Sequence, residues 1–143
     1  MKLLLDTCVL SELQRPEASP AVVSLLSLLP EDRLFVSVIT LGEIVKGIAL
    51  LAEGRRKRQI GNWHLGLCAA FADRILPIDR EAAEIWGEGT AAARRRGVVL
   101  PAADGLIAAS ALRHELHVAT RNTAHFEAAG MMVVDPWSRP TEA

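Results

Sequence analysis

The sequence predicts a three-layer α/β/α domain, with helices on both faces of a central, mainly parallel sheet of about five short strands. Three observations carry that expectation. Short apolar runs alternate with helical segments along the whole chain, the pattern left by parallel strands joined through crossover helices. The 143 residues are 50% hydrophobic but only 4% aromatic, so the core must be built from Leu, Val, Ile and Ala, which suits strands buried on both faces. No internal repeat, low-complexity segment or long linker divides the chain, whose length is that of one domain. The expected organisation is a single domain over residues 1–137 and a loose tail over 138–143.

The elements follow in order. Lys2 to Asp6 is an apolar run ending in an acid, a buried strand that delivers its C-terminal end into a site. Thr7 to Gln14 reads as one or two helical turns. Ser19-Pro20 starts a helix, a cap followed by proline at the first helical position, and Pro30 stops it. Leu34 to Val38 is a second strand. Thr40 opens a helix that continues to Leu51 and ends or bends at Gly54, and Arg55 to Asp73 carries a helical apolar stripe through Ile60, Trp63, Leu67 and Phe71. Ile75 to Ile78 is a third strand, which Pro77 makes short or peripheral. Asp79 caps a helix that closes on Arg94-Arg95-Arg96 and Gly97, basic residues and glycine being normal stop signals. Asp104 to Glu115 is a further helix, His117 to Thr120 a fourth strand, Thr123 to Ala129 a short helix, and Met131 to Val134 a fifth strand.

Composition narrows the function. With 16 Lys+Arg against 17 Asp+Glu the net charge is -1, which excludes a strongly basic nucleic-acid-coating protein but leaves room for local basic patches. Cys8 and Cys68 make no disulfide framework. His64 stands four residues before Cys68, yet no further ligand follows at zinc-like spacing. Asp6 interrupts the first apolar run too early for a signal peptide, and no stretch approaches the ~18 apolar residues of a membrane span. The expectation is a cytoplasmic protein with reduced thiols.

Four polar residues stand where chemistry is expected in such a sheet, beyond the carboxyl ends of its strands. Asp6 follows the first strand, Glu43 lies in the helix after the second, Asp104 opens a helix, and Asn122 follows the fourth strand after Thr120-Arg121. Each also has a plain structural reading. Asp6 and Asp104 can cap helices, Thr40 and Glu43 match a capping box, and Asn122 suits a turn. Taken together they place three carboxylates and an amide at one edge. Convergent carboxylates stay ionised only beside a cation. Oxygen donors without nitrogen or sulfur select Mg²⁺ or Mn²⁺, and such an ion suggests phosphodiester hydrolysis.

Those residues carry a family resemblance. Leu4-Leu5-Asp6-Thr7-Cys8-Val9-Leu10-Ser11-Glu12-Leu13 resembles the opening of PIN-domain nucleases, and Ser37 through Ile48, with Thr40-Leu41-Gly42-Glu43 at its centre, resembles their second motif. Pro101-Ala102-Ala103-Asp104-Gly105-Leu106-Ile107 resembles the third, and Ala119-Thr120-Arg121-Asn122-Thr123-Ala124-His125-Phe126 the fourth. The likeness covers essentially the whole chain and is greatest to the VapC/FitB-like toxins of type II toxin–antitoxin pairs. It implies a Mg²⁺-dependent endoribonuclease, with Mn²⁺ able to substitute. Its RNA cleavage would be held off by a small DNA-binding antitoxin, and the protein would be a homodimer within a hetero-oligomer. By motif match Asp6, Glu43 and Asp104 are the metal-binding and catalytic acids, Asp6 and Asp104 the direct ligands. Asn122 orients a water or ligand, and Thr7 lies beside the site. One departure stands out: relatives often place an acid before the Phe of the fourth motif, and this chain has His125. A histidine there adds no fixed negative charge and can contact a phosphate or move a proton.

Other features have weaker claims. Arg55-Arg56-Lys57-Arg58 and Arg94-Arg95-Arg96 are RNA or antitoxin contacts on one reading and solvated helix faces on the other. Arg121 and Lys46 are nearer cations for an RNA backbone. Trp63 and Trp86 suit a core or dimer contact, and Trp137 packs the last strand. Cys8 has no arginine six residues on, where Gln14 stands, so a phosphate-binding thiol loop is excluded. The rival to the nuclease is a non-catalytic RNA-binding or interaction module on the same fold. A metal-dependent phosphatase or DNA nuclease is more remote.

Overall fold

Leu3–Leu5 forms β1, the middle strand of the sheet, and all three of its leucines are buried. A computed structural model, describing residues 1–138, continues with α1 (Thr7–Leu13), α2 (Pro20–Ser27), β2 (Leu34–Ser37), α3 (Val38–Ala49) and α4 (Arg55–Ala70). After these come β3 (Ile75–Leu76), α5 (Arg80–Arg95), α6 (Ala102–Arg113), β4 (His117–Ala119), α7 (Thr123–Ala128) and β5 (Val133–Val134). Apart from Ser138, the expected tail lies outside the described residues.

The five strands run in the order β3-β2-β1-β4-β5, every neighbouring pair parallel. The chain moves outward from β1 to β2 and β3, then returns to the other side of β1 with β4. The switch in direction therefore falls between β1 and β4, where such sheets open a crevice at their carboxyl edge. Successive side chains in a strand point to opposite faces. Accordingly Leu3 and Leu5 pack with Val9, Leu10, Val22, Ile44 and Leu67 from α1 to α4. Leu4 packs instead with Ile107, Ala108, Ala111 and Phe126 from α6 and α7. This is the expected three-layer arrangement, with α5 laid against α6.

Several local signals behave as the sequence predicts. Asp79 accepts from the Ala82 N–H at 2.8 Å and starts α5. Gly97, with φ +77°, ends the turn after it in a conformation that glycine adopts freely. Pro77 follows β3, which is two residues long and lies at the sheet edge. Two starts differ. The helix after β2, α3, begins at Val38 instead of Thr40, because Ser37 Oγ accepts from the Ile39 N–H at 3.1 Å and caps it first. Thr40 is consequently an interior, fully buried helical residue, and the capping-box reading of Thr40 and Glu43 fails. Likewise α6 begins at Ala102 behind Pro101, so Asp104 lies in its first turn and is not its cap. Among the described residues no helix is long and apolar enough to cross a membrane.

Candidate active site

Asp6 leaves β1 in extended conformation and is only 4% exposed. Its Oδ1 accepts from the Thr7 N–H at 2.8 Å, so it does cap α1. Its Oδ2 accepts from the Thr120 hydroxyl, also at 2.8 Å, across the β1–β4 junction. The capping role that the sequence offers for Asp6 is therefore present in the structure. Burial raises its pKa above the ordinary carboxylate value, the hydrogen bonds from Thr120 and Thr7 oppose that rise, and the nearby charge of Asp104 adds to it. The two acids are therefore near enough for the charge of one to act on the other, although they lie far apart in the chain.

Thr7 links the next acid. Its hydroxyl donates to Glu43 Oε1 at 2.8 Å, tying α1 to α3. Asp104 Oδ2 lies 2.9 Å from His125 Nδ1, which ties α6 to α7. Thr120 is fully buried and joins two contacts: while donating to Asp6, its oxygen accepts from the Asn122 N–H at 3.0 Å. Asn122 is thereby brought beside the site by its backbone, and its own side chain makes no cap bond to α7. Arg121 projects from the same loop with its guanidinium 4.1 Å above the Trp137 ring, a cation–π contact.

The particular contacts of Cys8, Trp137 and Glu12 escaped the sequence reading. Cys8 Sγ lies 3.7 Å from Asp6 Oδ2 and 3.6 Å from Thr120 Oγ1, and it accepts from the Arg121 N–H at 3.5 Å. Burial pushes its thiol pKa up, which suits a packed thiol and not a nucleophile. Trp137 serves as the platform for Arg121. Glu12 is buried, accepting from Arg15 at 3.0 Å and from the Ser19 N–H at 2.9 Å, and so joins α1 to the start of α2. An acid on the buried side of a helical stripe was the available signal for it. Beside Glu43 an open groove runs past Gly42, Lys46, Gly47 and Ala103, with Val38 and Val45 of α3 and Leu50 just after it exposed.

The structure does not bring all three acids into one ligand cluster. Among the described residues no three His, Cys, Asp or Glu side chains stand close enough to hold an ion together. Glu43 is joined to Asp6 through Thr7, whereas Asp6 and Asp104 interact by charge. Two carboxylates still suit Mg²⁺, which keeps several waters and accepts substrate phosphates as its remaining ligands. Among the described residues no Lys or Arg pairs with Asp6, Glu43 or Asp104, so the buried negative charge of Asp6 is left for a cation to neutralise. The donor set therefore fits a hard divalent ion.

Comparison with known proteins identifies the family of the chain. Residues 3–131 match the family model described as PIN domain. Toxin FitB of Neisseria gonorrhoeae (strain ATCC 700825 / FA 1090) is 40% identical over 136 residues, covering 94% of this chain and 98% of that protein. VapC ribonuclease Y4jK of Sinorhizobium fredii (strain NBRC 101917 / NGR234) is 38% identical over 136 residues, covering 94% and 97%. Among solved structures, that of FitAB bound to an IR36 DNA fragment superposes with a TM-score of 0.90 at 38% identity, covering 99% of both chains.

Proposed function

The chain belongs to the PIN-domain family, and from that membership we propose that it is a Mg²⁺-dependent endoribonuclease, the toxin of a toxin–antitoxin pair. The observation that carries the reading is the buried Asp6, held by two donors, unpaired with any Lys or Arg among the described residues, and raised in pKa by burial and by Asp104. The ribonuclease and toxin named among the relatives support the same chemistry.

Asp6 and Asp104 would hold the ion, with Mn²⁺ able to substitute, and when bound it supplies a water of lowered pKa and charge stabilisation at the scissile phosphate. The chain's own residues do the rest. Thr120 and the Thr7 N–H fix the Asp6 carboxylate, so that its orientation is set before any ion arrives. Thr7 engages Oε1 of Glu43, which leaves Oε2 to accept a proton from the attacking water. The Asn122 side chain, exposed beside Thr120, orients a water or the RNA. Arg121, steadied by Trp137, gives the RNA backbone a positive contact beside an acidic centre. A small DNA-binding antitoxin holds the protein inactive, and a homodimer of the chain joins it in a hetero-oligomer. The FitAB complex with DNA supports such a partner, and the exposed apolar residues of α3 supply a surface for it.

The test is incubation of purified, partner-free protein with total RNA and Mg²⁺, beside EDTA and Asp6→Asn controls. Discrete cleavage abolished by both controls is the expected result. Intact RNA with folded protein, together with no heat of Mg²⁺ binding, would return the chain to the class of non-catalytic binding modules.

A further inference from the structure

We propose that His125 is a positioning residue that holds the Asp104 carboxylate ready for its divalent ion. The inference rests on the metal site proposed above. His125 stands on α7 directly before Phe126, which is 1% exposed and anchors that short helix to the core. Asp104 stands in the first turn of α6. Their contact, Nδ1 to Oδ2 at 2.9 Å, bridges the two helices across 21 positions of sequence. A carboxylate oxygen only accepts, so Nδ1 carries the proton, and the neutral ring is sufficient to make the bond. That leaves Oδ1 of Asp104, which has no hydrogen-bond partner among the described residues, for the ion.

Stability is a poor explanation for this pair. The His125 side chain is 50% exposed, against 18% for Asp104, and exposed pairs of this kind contribute little to folding. Orientation is the better one. The Asp104 side chain bears on the charge of Asp6, and a rotation about its χ angles would turn its oxygens away from the crevice. Carboxylates that bind metals are themselves held by outer hydrogen bonds, and losing such a partner typically weakens metal affinity about 10–100-fold. An acid at position 125 would repel Asp104 in the metal-free protein. The imidazole N–H instead attracts it without adding negative charge.

Mn²⁺ binding to the full-length, partner-free chain, followed by calorimetry, tests this directly. Wild type is compared with His125→Ala, His125→Asn and Asp104→Asn, with a thermal melt of each. His125→Ala should weaken Mn²⁺ affinity about tenfold while melting within about 2 °C of wild type, as an exposed substitution does. His125→Asn, whose side-chain N–H occupies nearly the place of Nδ1–H, should recover most of the affinity. Wild-type affinity in His125→Ala, or equal weakening in both His125 variants, would overturn the positioning role and leave the nuclease reading intact. Wild type that binds no Mn²⁺, or binds it unaffected by Asp104→Asn, would refute the metal site and this role with it.

Discussion

Replacing Thr120 with valine removes one hydroxyl and little volume from the most connected point of the site. Thr120 is fully buried, donates to Asp6 Oδ2 at 2.8 Å and accepts from the Asn122 N–H at 3.0 Å. A hydrogen bond to a charged group contributes roughly 1.5–3 kcal/mol, and one to a neutral N–H about 1 kcal/mol. Thr120→Val should therefore cost about 2–4 kcal/mol. For a domain of this length each kcal/mol moves the melting temperature by roughly 2–4 °C, so the metal-free variant should melt about 5–15 °C lower. A second effect follows at the site itself. The Thr120 hydroxyl is the largest influence holding the Asp6 pKa down against burial. Without it that pKa rises further, and the acid limb of Mg²⁺-dependent cleavage should move to higher pH. Thr120→Ser keeps the hydroxyl and should leave the acid limb in place, losing only about 1 kcal/mol for a buried methyl. Thermal melts and pH–rate profiles of the three proteins are the assay. A Thr120→Val protein that melts within 2 °C of wild type, or whose acid limb matches that of Thr120→Ser, would show that the hydroxyl does not control Asp6.

The raised pKa of Asp6 has its own consequence for stability. Protonated Asp6 is fully tolerated below the ordinary carboxylate range, and that tolerance is lost as pH rises through the raised folded value. Metal-free Asp6→Asn should thus be more stable than wild type at neutral pH by about 1–2 kcal/mol, as neutralised functional sites often are. Melts should show the gap narrowing as pH falls, and a gap of opposite sign at neutral pH would count against the burial argument. Gly105→Ala places a methyl 3.0 Å from Cδ1 and Nε1 of the half-buried Trp86. Overpacking at about 1–3 kcal/mol, less up to ~1 kcal/mol of helix propensity, should lower the melting temperature by a few degrees and shift Trp fluorescence; an unchanged melt would mean that the α5–α6 contact yields freely. Arg121→Gln should raise KM for RNA about tenfold with little change in kcat, and should reduce the salt dependence of binding by about one phosphate contact. A fall in kcat at constant KM would instead place Arg121 in the chemical step.

The alternation of apolar strands and helical stripes, the Pro77 break near the sheet edge, the Asp79 cap and the basic stop at Arg94-Arg95 were all legible in the sequence. Each depends on hydrogen bonds and side-chain directions within a few residues, where periodicity and cap chemistry act. The acids at strand ends were legible for the same reason, since a strand that stops on Asp6 must deliver that residue to the carboxyl edge. What they touch was decided elsewhere. Ser37, not Thr40, caps α3, and Glu43 turns to Thr7. Thr120 reaches Asp6 across 114 positions, and His125 meets Asp104 between two helices. These contacts are single hydrogen bonds between short polar side chains, and they leave no period in the sequence. They form only after β1 and β4 lie side by side and Phe126 is buried, so the packing of the core determines which of the chain's polar groups share one crevice.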